Sequence, residues 1–179
     1  IFIVTRNNFV EHTRNRIYKE LAFTDGMTKI NNRSAFEVYM EKERNKPSSG
    51  GCIMIADLNN LKRINDTYGH RLGDEAIINT ANLINDNFND IGNCYRIGGD
   101  EFCIISDVDD PEQIQAAYDK LAYRVEEYNT GTSVIEIGIA VGYARYDANI
   151  DKNLEDTRIR ADQRMYLNKD CLLYTSPSP

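Results

Sequence analysis

The spacing of apolar residues divides the chain into alternating extended and helical stretches. Residues 52–56, Cys-Ile-Met-Ile-Ala, form one continuous apolar run that ends at Asp57. Its length and β-branching predict a strand buried on both faces. Tyr95 to Ile105 carries two more apolar, β-branched runs around a Gly98-Gly99-Asp100-Glu101 centre, which predicts a β-hairpin. The two glycines are expected to accept positive φ and to leave the tip without side chains. Val134 to Tyr146 places Ile135, Ile137, Ile139 and Val141 at every second position, the period of a long strand.

Between these runs the period changes to that of a helix. Ser34 to Lys46, with Phe36, Val38 and Met40, follows a turn-rich Asp25–Arg33 segment and precedes a Pro47–Gly51 loop. Leu61, Ile64 and Tyr68 share one face of a short helix, and after Gly69 a longer one runs from Leu72 to Phe88. Pro111 to Tyr128 repeats Ile114, Ala117, Leu121 and Val125, and Leu154 to Asp170 presents Ile159, Met165 and Tyr166. Asn7 to Ala22 mixes charges with Val10, Ile17 and Leu21 at spacings of seven and four, so a coiled-coil connector and a solvated helix fit it equally. Strands separated by helices, with one hairpin, predict an α+β domain whose helices pack on a mixed central sheet.

Composition narrows the chemistry. The 179 residues carry a net charge of -7 and no tryptophan. No Lys/Arg run forms a stripe, which argues against binding along a nucleic-acid polymer but not against a pocket for one nucleotide. Cys52, Cys94, Cys103 and Cys171 show no C-x-x-C spacing, and three sit in apolar runs, as buried free thiols of a reducing compartment do. His12 and His70 are too far apart for a histidine metal site. No apolar run reaches the roughly eighteen residues that span a membrane.

A second polar stretch is D-L-N-N-L-K-R-I-N-D-T-Y-G-H-R-L-G-D, from Asp57 to Asp74. An EF-hand loop does not fit it, because Leu61 falls on a ligand position and Lys62 on the turn glycine, with no closing Glu. No G-x-x-x-x-G-K-[ST] phosphate loop occurs anywhere. A strand that ends in Asp57 and a hairpin tip that carries Asp100 would instead bring carboxylates from two elements towards one metal-assisted phosphoryl site.

This stretch and the following R-I-G-G-D-E-F, Arg96 to Phe102, resemble the GGDEF-type diguanylate cyclases. Asp25-x-Met27-Thr28 with Asn32-Arg33, and Ala161-Asp162 with Met165-Tyr166 and Lys169, resemble the opening and closing motifs of the same family. The resemblance covers about residues 21 to 170 and implies a ferredoxin-like, palm-type fold. It implies condensation of two GTP into cyclic di-GMP with release of two pyrophosphates, across a homodimer. The implied cofactor is Mg²⁺, with Mn²⁺ as an alternative, held by Asp57, the Leu58 carbonyl and Asp100. The implied catalytic residues are Asp100 as base, supported by Glu101, with Arg96 and Lys62 countering phosphate charge. Asn65 and Asp74 would read guanine, whose adjacent N1–H and amino donors suit a carboxylate. His70 is a further substrate contact or a packing residue, Lys169 and Lys62 would meet phosphates, and Gly98 and Gly99 would let substrate approach the tip.

Departures from the family pattern bear on that expectation. Asn59 stands for the second Asp of D-x-D and Leu61 for the usual Phe, which leaves Asp57 intact. Lys29 stands where the family often has Gly. The inhibitory R-x-x-D would fall at Asn89 to Gly92, where neither residue is present, so product feedback through it is not expected. Three parts are expected: a connector helix over 1–22 from an upstream sensory module, the catalytic domain over 23–170, and a non-native tail over 171–179. That tail reads as translated sequencing-adapter DNA. The domain is expected to be cytoplasmic, within a longer protein that a membrane could anchor. The alternative function is a GTP-binding or signalling module of the same fold with weak catalysis.

Overall fold

The structure is a computed structural model that describes residues 14, 18–44, 50–131 and 134–175, the stretch 170–175 by its backbone alone. Residues 18–23 are helical, and most of the expected connector helix lies outside the described residues, as do 47–49 of the expected loop and 176–179 of the tail. Nine elements follow in order: α1 (Arg33–Glu43), β1 (Cys52–Leu58), α2 (Leu61–Tyr68), α3 (His70–Phe88), β2 (Gly92–Arg96), β3 (Glu101–Ser106), α4 (Pro111–Thr130), β4 (Ile139–Arg145) and α5 (Leu154–Thr175).

Local chemistry sets several of these boundaries. The Asn32 side chain accepts the Ala35 N–H at 3.0 Å and starts α1. Asp110 caps α4 by accepting the Glu112 N–H at 3.0 Å, with Pro111 at the first helical position. Gly69, at φ 84, separates α2 from α3, a backbone conformation that side chains resist. Helix α3 therefore begins at His70, one half-turn before the expected Leu72.

The strands lie in the order β2-β3-β1-β4. With the helices this is a β-α-β-β-α-β chain, the ferredoxin-like arrangement. The α+β class holds, and in place of a mixed ladder all its strand pairs are antiparallel. The crossovers explain this: β1 and β2 run the same way, but the hairpin partner β3 is inserted between them. An isolated bridge from Asn31 to Tyr95 supplies a parallel contact at the edge.

Every residue of β1 is buried, as its unbroken apolar run predicts. On one sheet face Met54, Ala56, Phe102 and Ile104 pack against Ile77, Ile84 and Phe88 of α3 and Ile114 and Leu121 of α4. On the other, Ile53, Ile55, Cys103 and Ile105 meet Ala161 and Met165 of α5, with Phe36, Tyr39 and Met40 of α1 at the margin. Cys52, Cys94 and Cys103 are free and buried, and burial pushes the Cys52 and Cys94 thiols up to about 12.

Strand β4 starts at Ile139 rather than the expected Val134. The alternation upstream is genuine, since Ile135 and Ile137 are buried while Val134 is exposed. However, the Asn129 carboxamide takes both hydrogen bonds of Ile137, at 2.8 Å each, where a neighbouring strand would. Among the described residues no helix is long and apolar enough to cross a membrane.

Candidate active site

The antiparallel pairing of β1 with β3 places Asp57 directly opposite Glu101. Beyond the ladder, the Leu58 N–H donates to the Asp100 carbonyl at 2.9 Å, which ties the hairpin tip to the end of β1. Two central strands thus deliver Asp57, Asp100 and Glu101 to the same end of the sheet. Asp57 is only 5% exposed, yet it sits where a buried carboxylate needs a partner. Lys169 of α5 supplies one, with Nζ 2.6 Å from Oδ1. Burial pushes the Asp57 carboxyl above its ordinary value; the Lys169 ammonium pulls it back, and the Asp100 charge adds to the rise.

Asp100 and Glu101 make no side-chain hydrogen bond or ion pair with the described residues. The tip that presents them is closed by Ile97 and Gly98 N–H groups, both donating to the Glu101 carbonyl at 2.9 and 3.2 Å. Neither Gly98 nor Gly99 adopts positive φ, which corrects the expected reason for their presence. Gly98 is small for a different cause: a Cβ there would lie 2.5 Å from the Glu101 carboxylate. Gly99 has open space around it.

Arg96, expected to face phosphate, is engaged within the protein. Its guanidinium donates to the Gly99 carbonyl at 2.8 and 3.3 Å and to Asp25 Oδ1 at 3.1 Å. Asp25 also accepts from the Thr28 N–H and hydroxyl, at 2.8 and 2.7 Å. Burial raises the Asp25 carboxyl, and these bonds from Thr28 and Arg96 outweigh it and hold the group below its ordinary value. Asn31 completes the strap: its amide donates to the Cys94 carbonyl at 3.1 Å and its carbonyl accepts the Arg96 N–H at 2.8 Å. The segment before α1 therefore fixes the hairpin.

The α2–α3 corner holds the other expected residues. Asn65 packs against Gly73, where a Cβ would come within 2.9 Å of the carboxamide carbon. Asp74 and His70 are exposed on the first turns of α3, and Lys62 is exposed on α2. None of these four polar side chains has a hydrogen-bond partner among the described residues. Asn60, in the left-handed region at φ 59, a conformation that Asn tolerates, turns the chain from β1 into α2.

Sequence reasoning passed over several residues that make the site. Asp25 and Asn31 act through Arg96, and Gly73 admits Asn65. Gly142 in β4 is the least conspicuous: its missing Cβ would lie 2.6 Å from the Arg164 carbonyl carbon and still closer to Met165 N and Ala161 O. Together with Ala140 and Ala144 it lets the backbone of α5 approach the sheet and carries Lys169 to Asp57. The signal was available, since a lone glycine within a strand marks a close backbone approach.

An antiparallel palm with acids at the shared end of its central strands is the class of domain found in nucleotide cyclases. The comparisons make the assignment specific. The family described as diguanylate cyclase, GGDEF domain, matches residues 22–171, and the chain belongs to it. The chain is 35% identical to the probable diguanylate cyclase DgcJ of Escherichia coli K12 over 161 residues, 86% of this chain and 31% of that protein. It is 32% identical to the probable diguanylate cyclase DgcI of the same organism over 150 residues, 83% of this chain and 31% of that protein. The chain thus spans about a third of the length of these relatives. In structure it is similar to the coiled coil and GGDEF domain of DgcB from Caulobacter crescentus, solved in complex with c-di-GMP. That match has a TM-score of 0.78 at 22% identity, over 94% of this chain and 93% of that one.

Proposed function

We propose that this domain is a diguanylate cyclase, condensing two GTP into cyclic di-GMP and releasing two pyrophosphates. The observation that carries the reading is Asp57, buried at the end of β1 and paired with Lys169, beside Asp100, whose side chain has no partner among the described residues. A buried acid kept next to a second acid destabilises a fold and is retained where charge is used.

The donor set suits a hard divalent cation. Asp57, Asp100 and the Leu58 carbonyl offer oxygen alone, and among the described residues no three His, Cys, Asp or Glu side chains cluster. Mg²⁺ usually takes only one or two carboxylates and completes its shell with phosphate and water, so the residues present fit. Mn²⁺ has the same ligand preference. When bound, the ion would neutralise triphosphate charge and favour ionisation of the attacking hydroxyl.

The chain's own residues divide the remaining work. Asp100 takes the proton of one GTP's 3′-hydroxyl, whose oxygen bonds to the α-phosphorus of the other GTP as the bond to pyrophosphate breaks. Glu101 is the supporting carboxylate. Lys169, released from Asp57, meets the phosphates, and Lys62 adds a second positive charge. Asn65 and Asp74 read the guanine edge, with His70 at the rim of the same corner. Arg96 acts as a positioning residue, holding the tip through Gly99 and Asp25. Two copies face each other, because one site holds one GTP and cannot present both attacking hydroxyls. Asn89 and Gly92 replace the inhibitory Arg and Asp, so turnover proceeds without feedback there.

Incubation with GTP and Mg²⁺, with products separated by chromatography, tests the reading. Cyclic di-GMP and pyrophosphate are the expected products. GTP binding without any product would favour the signalling module, and no GTP binding would overturn both.

A further inference from the structure

Lys169 occupies the side of Asp57 on which a divalent cation would have to sit. Asp57 is 5% exposed, and its Oδ1 accepts from the Lys169 ammonium at 2.6 Å. A metal ion on the same oxygen, at the ~2.0–2.1 Å that Mg²⁺ requires, would lie within about 5 Å of that ammonium. Like charges so close, beside a carboxylate taken out of water, repel strongly. A buried carboxylate with no cation beside it is costly as well, so Asp57 needs one positive partner at all times. Arg96 cannot serve, because its guanidinium is committed to Gly99 and Asp25.

We propose that Lys169 is a resident counter-ion that closes the metal position at Asp57, so that a divalent cation enters as the nucleotide's phosphates draw the ammonium away. Taken with the diguanylate cyclase reading, on which it rests, this makes the two ligands interdependent. Metal alone competes with Lys169 for Asp57, whereas a triphosphate offers the ammonium a stronger anion and frees the carboxylate. The coupling is reciprocal, so the metal favours the nucleotide by the factor that the nucleotide favours the metal.

Only the side chain has to move. The α5 backbone is pressed against β4 at Gly142, where a Cβ would lie 2.6 Å from the Arg164 carbonyl carbon. The Lys169 side chain is 32% exposed, and a cavity of about 870 Å³ opens beside it, walled by Asp57, Glu101, Asp162 and Tyr166. An ammonium is a compact, hydrated charge on a flexible stem, and it lacks the bidentate fork with which arginine would grip the carboxylate.

Titration of the full chain with Mn²⁺ alone, without nucleotide, tests this by calorimetry and by paramagnetic broadening of amide signals. Lys169→Gln should bind Mn²⁺ at least about tenfold more tightly than the parent, with broadening centred on residues 57, 58 and 100. Lys169→Arg keeps the charge and should stay within about threefold of the parent. Adding Asp57→Asn to Lys169→Gln should remove the gain. Because Lys169→Gln leaves Asp57 without its partner, its thermal midpoint in chelator should fall below the parent's, and saturating Mn²⁺ should raise it by more than it raises the parent's. Should the variant be unfolded in chelator, Mn²⁺ should restore the fold. Equal Mn²⁺ affinity in parent and Lys169→Gln, an equal gain in Lys169→Arg, a gain that survives Asp57→Asn, or a variant that Mn²⁺ fails to stabilise would each overturn the proposal. None of these readouts requires turnover. A parent that makes cyclic di-GMP while Lys169→Gln gains no metal affinity sinks the counter-ion role alone, and a gain in a chain that makes no product sinks the cyclase reading alone.

Discussion

Replacing Gly142 by Ala adds one methyl group and should disturb both the fold and the site. The new Cβ would lie 2.6 Å from the Arg164 carbonyl carbon, with Met165 N and Ala161 O nearer still. These are backbone atoms of α5, which cannot turn aside as a side chain does. Normal carbon contact is about 3.5–4.0 Å, so α5 must retreat from β4 by about 1 Å or more. Overpacking of this kind costs about 1–3 kcal/mol. For a domain of this size each kcal/mol lowers the midpoint by roughly 2–4 °C, which gives a loss of about 2–12 °C. The effect reaches the site because Lys169 lies four residues beyond Met165, about 6 Å along the same helix. A 1 Å displacement of that helix weakens the 2.6 Å contact between Lys169 and Asp57. Thermal unfolding followed by circular dichroism reads the first effect, and cyclic di-GMP formation at subsaturating GTP reads the second. Gly26→Ala is the control, since a Cβ there meets nothing within 4 Å and the backbone is ordinary. A Gly142→Ala protein that melts and turns over like the Gly26→Ala control would refute this packing argument.

Gly73→Ala should push the Asn65 carboxamide from its place and raise the KM for GTP about tenfold, the equivalent of ~1.4 kcal/mol, with little change in kcat. Lys29 holds φ 65, so Lys29→Gly should raise stability by up to about 1 kcal/mol, read in urea. Asp25 has a folded pKa below its ordinary 3.8, so its contribution is present above that value and is lost as pH falls through the folded one. Asp25→Asn should therefore lower stability at neutral pH and flatten the acid limb of the stability profile; an unchanged acid limb would count against the Arg96 brace.

Much of the fold was legible because local rules suffice for it. The apolar run of β1 is buried throughout, the Gly-Gly-Asp-Glu turn joins two strands, and Pro111 opens a helix where its position in the chain predicts one. The acids at 57 and 100 converge because an apolar run ending in Asp and a hairpin tip occupy adjacent strands. What escaped notice depends on contacts between distant residues. Lys169 reaches Asp57 across 112 positions. Arg96 looked like a free cation because its partner Asp25 lies 71 residues away, in a turn whose role is structural. The alternation before Ile139 read as strand because burial, not ladder pairing, produces the period; Asn129 supplies the hydrogen bonds that a strand would have given. The glycines at 98 and 142 are explained by what their Cβ atoms would strike, which only the packed structure reveals.

The central claim is that Asp100 does chemistry rather than hold the hairpin together. The tip is closed by the backbone of Ile97, Gly98 and Glu101 and by Arg96, and the Asp100 side chain bonds to none of them. Asp100→Ala should therefore melt like the parent and still bind GTP, while cyclic di-GMP formation falls by about 10²-fold or more, the scale of a lost general base. Undiminished product from a folded, GTP-binding Asp100→Ala protein would contradict the account.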